Sequence, residues 1–146
     1  MDSIDLDILE VMKLNGRATA SEISRKVNLS VPAVSERIKK LEESKVIEQY
    51  TVKVNREQMG YRLMSIIFVN MDQTELTENF KTAVMQMDEV LECHHLAGEY
   101  DFMLKVLLKD TAELEYFLSS RIKMIKGVKK SNTLIVLTTL KETLNR

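Results

Sequence analysis

The 146-residue chain is poor in the residues that mark special chemistry: it has one cysteine, one proline, four glycines and no tryptophan. A single cysteine, Cys93, excludes an internal disulfide framework and fits a reducing compartment. So little proline and glycine excludes a collagen-like or low-complexity chain, and 45% hydrophobic against 29% charged residues is an ordinary globular balance. An excess of one charge is also missing, with 21 basic and 22 acidic side chains for a net charge of −1. That excludes an indiscriminate basic coat on nucleic acid. It leaves a local basic patch open, because whole-chain charge averages over surfaces. The longest apolar runs, Ser65 to Val69 and Leu134 to Leu137, fall far short of the ~20 residues that span a bilayer. The acidic first residues lack the basic start of a signal peptide. The expectation is a cytoplasmic protein of one domain or two small ones, without membrane contact.

What is present divides into two unlike parts. Residues 1–50 carry three helix signals with short connections. Ser3 is the expected cap of the first helix, and Ile4, Ile8, Val11 and Met12 share one face, with Gly16 ending it. Thr19 and Glu22 have the spacing of a capping box, so a second helix starts there with Ala20, Ile23 and Val27 inward. After the turn Asn28-Leu29-Ser30, Ser30 is placed to cap a third helix. The lone proline, Pro32, falls in its first turn, where the missing N–H costs nothing. Val34, Ile38 and Leu41 repeat at i, i+4, i+7. Val46 to Val54 then reads as a strand, either a wing or a dimer ribbon. Only Lys53 in it is basic, which favours the ribbon. Asn55 to Gly60 reads as a polar connector.

The remainder reads as strand, helix, strand, strand, helix, strand. The strands are expected at Leu63 to Met71, Val90 to Ala97, Tyr100 to Leu108 and Val128 to Leu140. Leu76, Phe80, Ala83, Val84 and Met87 form one helical stripe, and Leu114, Phe117, Leu118, Ile122 and Ile125 the other. The halves match without gaps at an offset of 38 residues, with Leu76, Phe80, Val84, Met87 and Val90 on Leu114, Leu118, Ile122, Ile125 and Val128. Two such units make βαββαβ, the ferredoxin-like arrangement.

The chemistry of the first part is that of a helix-turn-helix, whose second helix enters the major groove. Between Ser21 and Leu41, five basic side chains (Arg25, Lys26, Arg37, Lys39, Lys40) meet two acidic ones. Ser30 and the amides at the helix start are candidates for phosphate. Val31, Pro32, Ala33 and Ser35 are small enough to approach base edges, and Arg25, Lys39 and Lys40 suit phosphates. Arg37 sits at the edge of the buried stripe, placed to reach out along its stem. The second part has no catalytic constellation and no cofactor motif. Cys93, His94 and His95 alternate across a strand, which argues against a metal site, and Cys93 reads as a small buried residue. The distinctive segment is Gly98-Glu99-Tyr100-Asp101. Gly98 suits a tight turn or a close backbone approach. Asp101, in an apolar strand, needs N–H donors or a cation, met by a neighbouring backbone amide or by the ammonium of an amino acid.

Taken together, these segments resemble the Lrp/AsnC family of transcription regulators over about residues 4–141. The resemblance rests on Ile4-Asp5-Leu6-Asp7-Ile8-Leu9, Asn28-Leu29-Ser30, Glu36 to Glu42, Ile47 to Thr51, and Glu92 to Lys105. It implies an α+β chain, an N-terminal winged helix-turn-helix followed by a ferredoxin-like domain. Residues 1–50 would be the DNA-binding domain, 51–60 a strand and hinge linker, and 61–146 the effector-binding and oligomerisation domain. It implies homodimers, assembled into octamers, on double-stranded DNA in the nucleoid. It places an amino-acid effector at Gly98, Glu99, Tyr100 and Asp101, with Thr133 as a further candidate. Thr138-Thr139 departs from the acidic residues of leucine-responsive members, so leucine is not implied. The alternative is an architectural DNA-binding protein of the same fold that takes no ligand. An enzyme on this fold would need a phosphate-cradling loop and an activating arginine, and Met71 to Leu76 holds neither. An RNA-binding domain would leave the helix-turn-helix unexplained.

Overall fold

The computed structural model describes residues 1–146. The chain divides into two compact units, Met1–Lys53 with Thr143–Arg146, and Val54–Glu142. No helix is long and apolar enough to cross a membrane.

The first unit holds α1 (Ser3–Leu14), α2 (Ala20–Val27) and α3 (Val31–Glu43). Each helix begins where a side-chain oxygen captures a free first-turn amide. For α1 that residue is Asp2, not Ser3: Asp2 is extended, its carboxylate accepts from the Asp5 N–H, and Asp5 reciprocates. Ser3 is already helical. The α1 stop is extended Asn15 rather than Gly16. Thr19 and Glu22 form the expected capping box on α2, and Ser30 caps α3 through the Ala33 N–H. The turn between α2 and α3 is tight because Asn28 takes the left-handed region, φ 54°, and Leu29 N–H returns to the Ser24 carbonyl. Ile8, Ile23 and Val34 are fully buried where the three helices meet, flanked by Ile4, Val11, Met12, Val27 and Ile38.

The expected strand at Val46 to Val54 is absent. Tyr50, Val52 and Val54 are exposed, and Tyr50 Oη donates to Glu42 Oε1 at 2.6 Å. A strand needs a neighbour for its backbone groups, and within one chain this segment has none.

The second unit is a four-stranded antiparallel sheet ordered β2-β3-β1-β4. Its strands are β1 (Leu63–Met71), β2 (Val90–His95), β3 (Phe102–Leu108) and β4 (Val128–Val136). β4 stops short of Leu140 because its partner ends: Val136 pairs with Met64, near the start of β1. β2 and β3 are each shorter than expected at the turn joining them, where Asp101 N–H leaves the ladder to bond the Val69 carbonyl and Asn70 Oδ1. The connections are α4 (Thr77–Val84), preceded by a 3-10 turn at Thr74–Leu76, and α5 (Thr111–Tyr116), which continues as a π-helix, Phe117–Ile122. These equal-length halves of the 38-residue repeat are therefore wound differently.

One sheet face, with Ile67, Val69, Phe102, Leu104, Val106 and Leu108, packs on Phe80, Phe117 and Ile122 to form the core. On the other face lie Met64, Ile66, Phe68, Met103 and Leu107, only partly buried, beside Leu134, 51% exposed. Cys93 is exposed on edge strand β2 rather than buried.

Candidate nucleic-acid interface and effector turn

α3 presents its expected outer face. Val31, Pro32, Ser35, Lys39 and Lys40 are exposed and Ala33 is half-buried. Exposed Arg25 lies on α2, its Nε donating to the Ser21 carbonyl at 3.4 Å. At the start of α3 the supply of phosphate donors is narrower than the sequence suggests. Pro32 has no N–H and the Ala33 N–H is held by Ser30 Oγ at 3.3 Å. Val31 N–H and the Ser30 hydroxyl proton remain. Lys39 and Lys40 lie 3.8 and 3.6 Å from Glu43 and Glu36, exposed pairs that a phosphate can replace at little cost.

Arg37 does not reach outward. Its Nη1 donates to both carboxylate oxygens of Asp2, at 2.9 and 2.8 Å, and to Asp5 Oδ1 at 2.7 Å. The side chain ties α3 to the capping box of α1. Its place at the edge of the buried stripe was the available signal, but its partners lie more than 30 residues away and no local pattern names them. Asp2 and Asp5 are each held below the usual carboxylate range, first by the other's backbone N–H and then by Arg37. Because their folded values are lowered, their stabilising effect is complete above the unfolded value and is lost as pH falls through the folded one. Arg37→Met should therefore lower the melting temperature of the helical unit at neutral pH, with the deficit closing at an acid pH below the usual carboxylate range. Melts followed by circular dichroism at both pH values check this. A deficit independent of pH would show that Arg37 acts by packing alone.

The turn between β2 and β3 is anchored to β1. Leu96 N–H bonds the Asp101 carbonyl, and Asp101 Oδ2 accepts the Met71 N–H at 2.7 Å. The carboxylate thus meets the backbone amide that was one of its two expected partners, and Oδ1 is left. Tyr100 stacks on Phe68 with centroids 5.1 Å apart, and Lys130 Nζ stands 5.7 Å over its ring. Gly98 and Glu99 are exposed. Gly98 has no left-handed φ, and a Cβ there would meet nothing, so neither the turn nor packing within this chain demands glycine. Thr133 pairs with Ile67 and so shares the helix-covered face, whereas Tyr100 lies on Phe68 of the open face. One chain does not bring Thr133 to the turn. His94 and His95 lie on opposite faces, His94 Nε2 3.4 Å from Glu92 and His95 stacked on Phe102.

A three-helix unit with an exposed, partly basic third helix, followed by an α+β sheet domain, is a helix-turn-helix protein with a second domain. The winged helix-turn-helix DNA-binding family model matches residues 1–48 and the Lrp/AsnC ligand binding domain model matches residues 64–145. The chain is 36% identical over 143 residues to the HTH-type transcriptional regulator FL11 of Pyrococcus abyssi, covering 98% of this chain and 93% of that one. It is 31% identical to the leucine-responsive regulatory protein of Haemophilus influenzae, covering 98% and 87%. Among solved structures, a Neisseria meningitidis transcriptional regulator in complex with L-Met superposes with a TM-score of 0.94 at 30% identity, covering 99% of this chain and 94% of that one. The chain belongs to the Lrp/AsnC family of transcription regulators.

Proposed function

We propose that this regulator binds duplex DNA through α3 and responds to an amino acid at the Gly98–Asp101 turn. The observation that carries the DNA contact is the exposed face of α3. Val31, Pro32, Ala33 and Ser35 approach bases, while Ser30, Arg25, Lys39 and Lys40 hold phosphates. Arg37 positions the helix. The ligand class is supported by the relative crystallised with L-Met. Asp101 Oδ1 suits an ammonium, and Gly98, Glu99 and Tyr100 offer backbone amides to a carboxylate. Met1–Lys53 with Thr143–Arg146 serve as the DNA-binding unit and Val54–Glu142 as the effector and oligomerisation unit, so the expected bounds 1–50, 51–60 and 61–146 shift at both ends. A second copy covers the open apolar sheet face of Met64, Ile66, Phe68 and Leu134. Two-fold pairing presents two α3 helices to one DNA face, and larger assemblies such as octamers multiply that contact. A ligand bound between copies also allows Thr133 to be supplied from another chain. The second reading, an architectural protein without effector, is favoured by the Asp101–Met71 bond, which gives the carboxylate a structural purpose.

The test is site selection on duplex DNA with oligomer mass and affinity measured with each of the twenty amino acids. Lys39→Ala with Lys40→Ala should weaken binding and flatten the salt dependence, by about one in the log–log slope for each phosphate no longer neutralised. Asp101→Asn keeps an acceptor for the Met71 N–H but loses the charge, so DNA affinity should hold while the amino-acid response disappears. No response of the wild type to any amino acid would leave the architectural reading. An unchanged salt slope in the lysine variant would remove Lys39 and Lys40 from the interface.

A further inference from the structure

We propose that the turn leading into β4 is a second, sequence-independent contact to duplex DNA, made by Lys123, Lys126 and Lys129. The inference rests on the DNA-binding reading and extends it to the other unit. From Arg121 to Lys130 the chain holds five basic residues and no acidic one, and no other ten-residue stretch does so. Arg121 is engaged with Glu89 at 3.0 Å, and Lys130 stands over Tyr100. Lys123, Lys126 and Lys129 are exposed and their ammonium groups form no salt bridge. Asp72 and Glu75, on the adjoining loop, pair with none of them.

The turn that carries these lysines is built rather than loose. Ile122 and Ile125 are buried on either side of Lys123, and Gly127 closes the turn at φ 97°. The Gly127 carbonyl accepts the Asp72 N–H at 2.7 Å. Met71 pairs with Val128 and Asn70 with Lys130, so Lys129 is the extra residue of a β-bulge, a device that re-aims a side chain out of strict alternation. Three ammonium groups thus project from a fixed backbone with nothing to neutralise them.

Phosphate is the partner this chemistry fits, because lysine is a point charge without base-reading geometry. The need for it is visible in the first unit. Met1–Lys53 with Thr143–Arg146 holds ten basic and nine acidic side chains, and on α3 Arg37 is bound to Asp2 and Asp5 while Lys39 and Lys40 each have a glutamate within 4 Å. The net attraction that unit exerts on a polyanion is modest, and a further cluster of lysines without salt-bridge partners lies in the other unit.

The experiment measures binding of the full chain to a labelled mixed-sequence duplex of about 100 base pairs over a salt series, where each neutralised phosphate contributes about 0.9 to the log–log slope. Lys123→Gln, Lys126→Gln and Lys129→Gln together should lower affinity about tenfold at low salt and reduce the slope by at least about one. The same three positions changed to Arg should restore both. Lys109→Gln with Lys141→Gln, exposed lysines elsewhere in this unit, should leave the slope unchanged. A triple variant with unaltered melting temperature and wild-type slope overturns the proposal, as does an equal fall per charge in the Lys109/Lys141 control. If the wild type itself fails to bind the duplex, the DNA-binding reading falls with it.

Discussion

Ile23→Ala should unfold the helix-turn-helix and leave the sheet domain standing. Only three side chains, Ile8, Ile23 and Val34, are fully buried in the helical unit, one from each helix. Removing a buried isoleucine down to its Cβ costs ~2–5 kcal/mol, the lost transfer energy plus the cavity left behind. A unit of this size has ~3–8 kcal/mol in total, at ~0.05–0.15 kcal/mol per residue. The loss is therefore most of what the unit possesses. The sheet domain has its own core, in which Ile23 has no part. The variant should lose much of its helical circular dichroism and its sequence-specific DNA binding at 25 °C, while a second thermal transition persists near the wild-type temperature. A single transition for the whole chain, displaced as one, would show that the two cores fold as one cooperative unit.

Gly127→Ala should be the most damaging single change in the sheet domain for its size. Gly127 sits at φ 97°, where an L side chain costs ~1–2 kcal/mol. A Cβ there would also lie 2.7 Å from both Cβ and Cδ1 of Leu76 and 3.1 Å from Met71 Cε. Leu76 Cβ cannot swing away, because Leu76 closes the 3-10 turn that starts α4. Overpacking of this kind adds ~1–3 kcal/mol, for a total of ~2–5. Gly60 supplies the control: it too has a positive φ, 88°, but nothing lies within 4 Å of its Cβ position. Gly60→Ala should cost only the backbone part, ~1–2 kcal/mol. Denaturant melts of the two variants separate strain from overlap. Equal losses at both positions would mean that the Leu76 side chain relaxes freely.

The helical stripes and the succession of strands and helices along the chain were legible in the residues because they depend on near neighbours. Thr19 and Glu22 are three apart and meet on any helix that starts there, and β1 follows the segment Leu63–Met71 read from its apolar run. Local reasoning failed where two oxygens competed, as at Asp2 and Ser3, because both can cap and only the chain's path chooses. It failed again where an element needed a distant partner. Val46 to Val54 has strand composition but no ladder within this chain. β4 has strand composition to Leu140 but ends opposite the start of β1, where its partner runs out. The site divides in the same way. Lys39 and Lys40 were placed outward by the helical period, and they are outward. Arg37, which the same wheel sets at the edge of the buried stripe with a stem able to reach out, is instead bound to Asp2 and Asp5, whose positions the wheel does not contain.

By itself, then, the sequence determined that this is a helix-turn-helix joined to a βαββαβ domain, since caps, periodicity and a gap-free repeat are properties of residues a few positions apart. The tertiary structure decided which charges are available to DNA, that Asp101 bonds the Met71 amide, that Thr133 lies across the sheet from Tyr100, and that one apolar face stays open. Each of these is a distance between groups far apart in the chain, and such distances are settled only when packing brings the elements together.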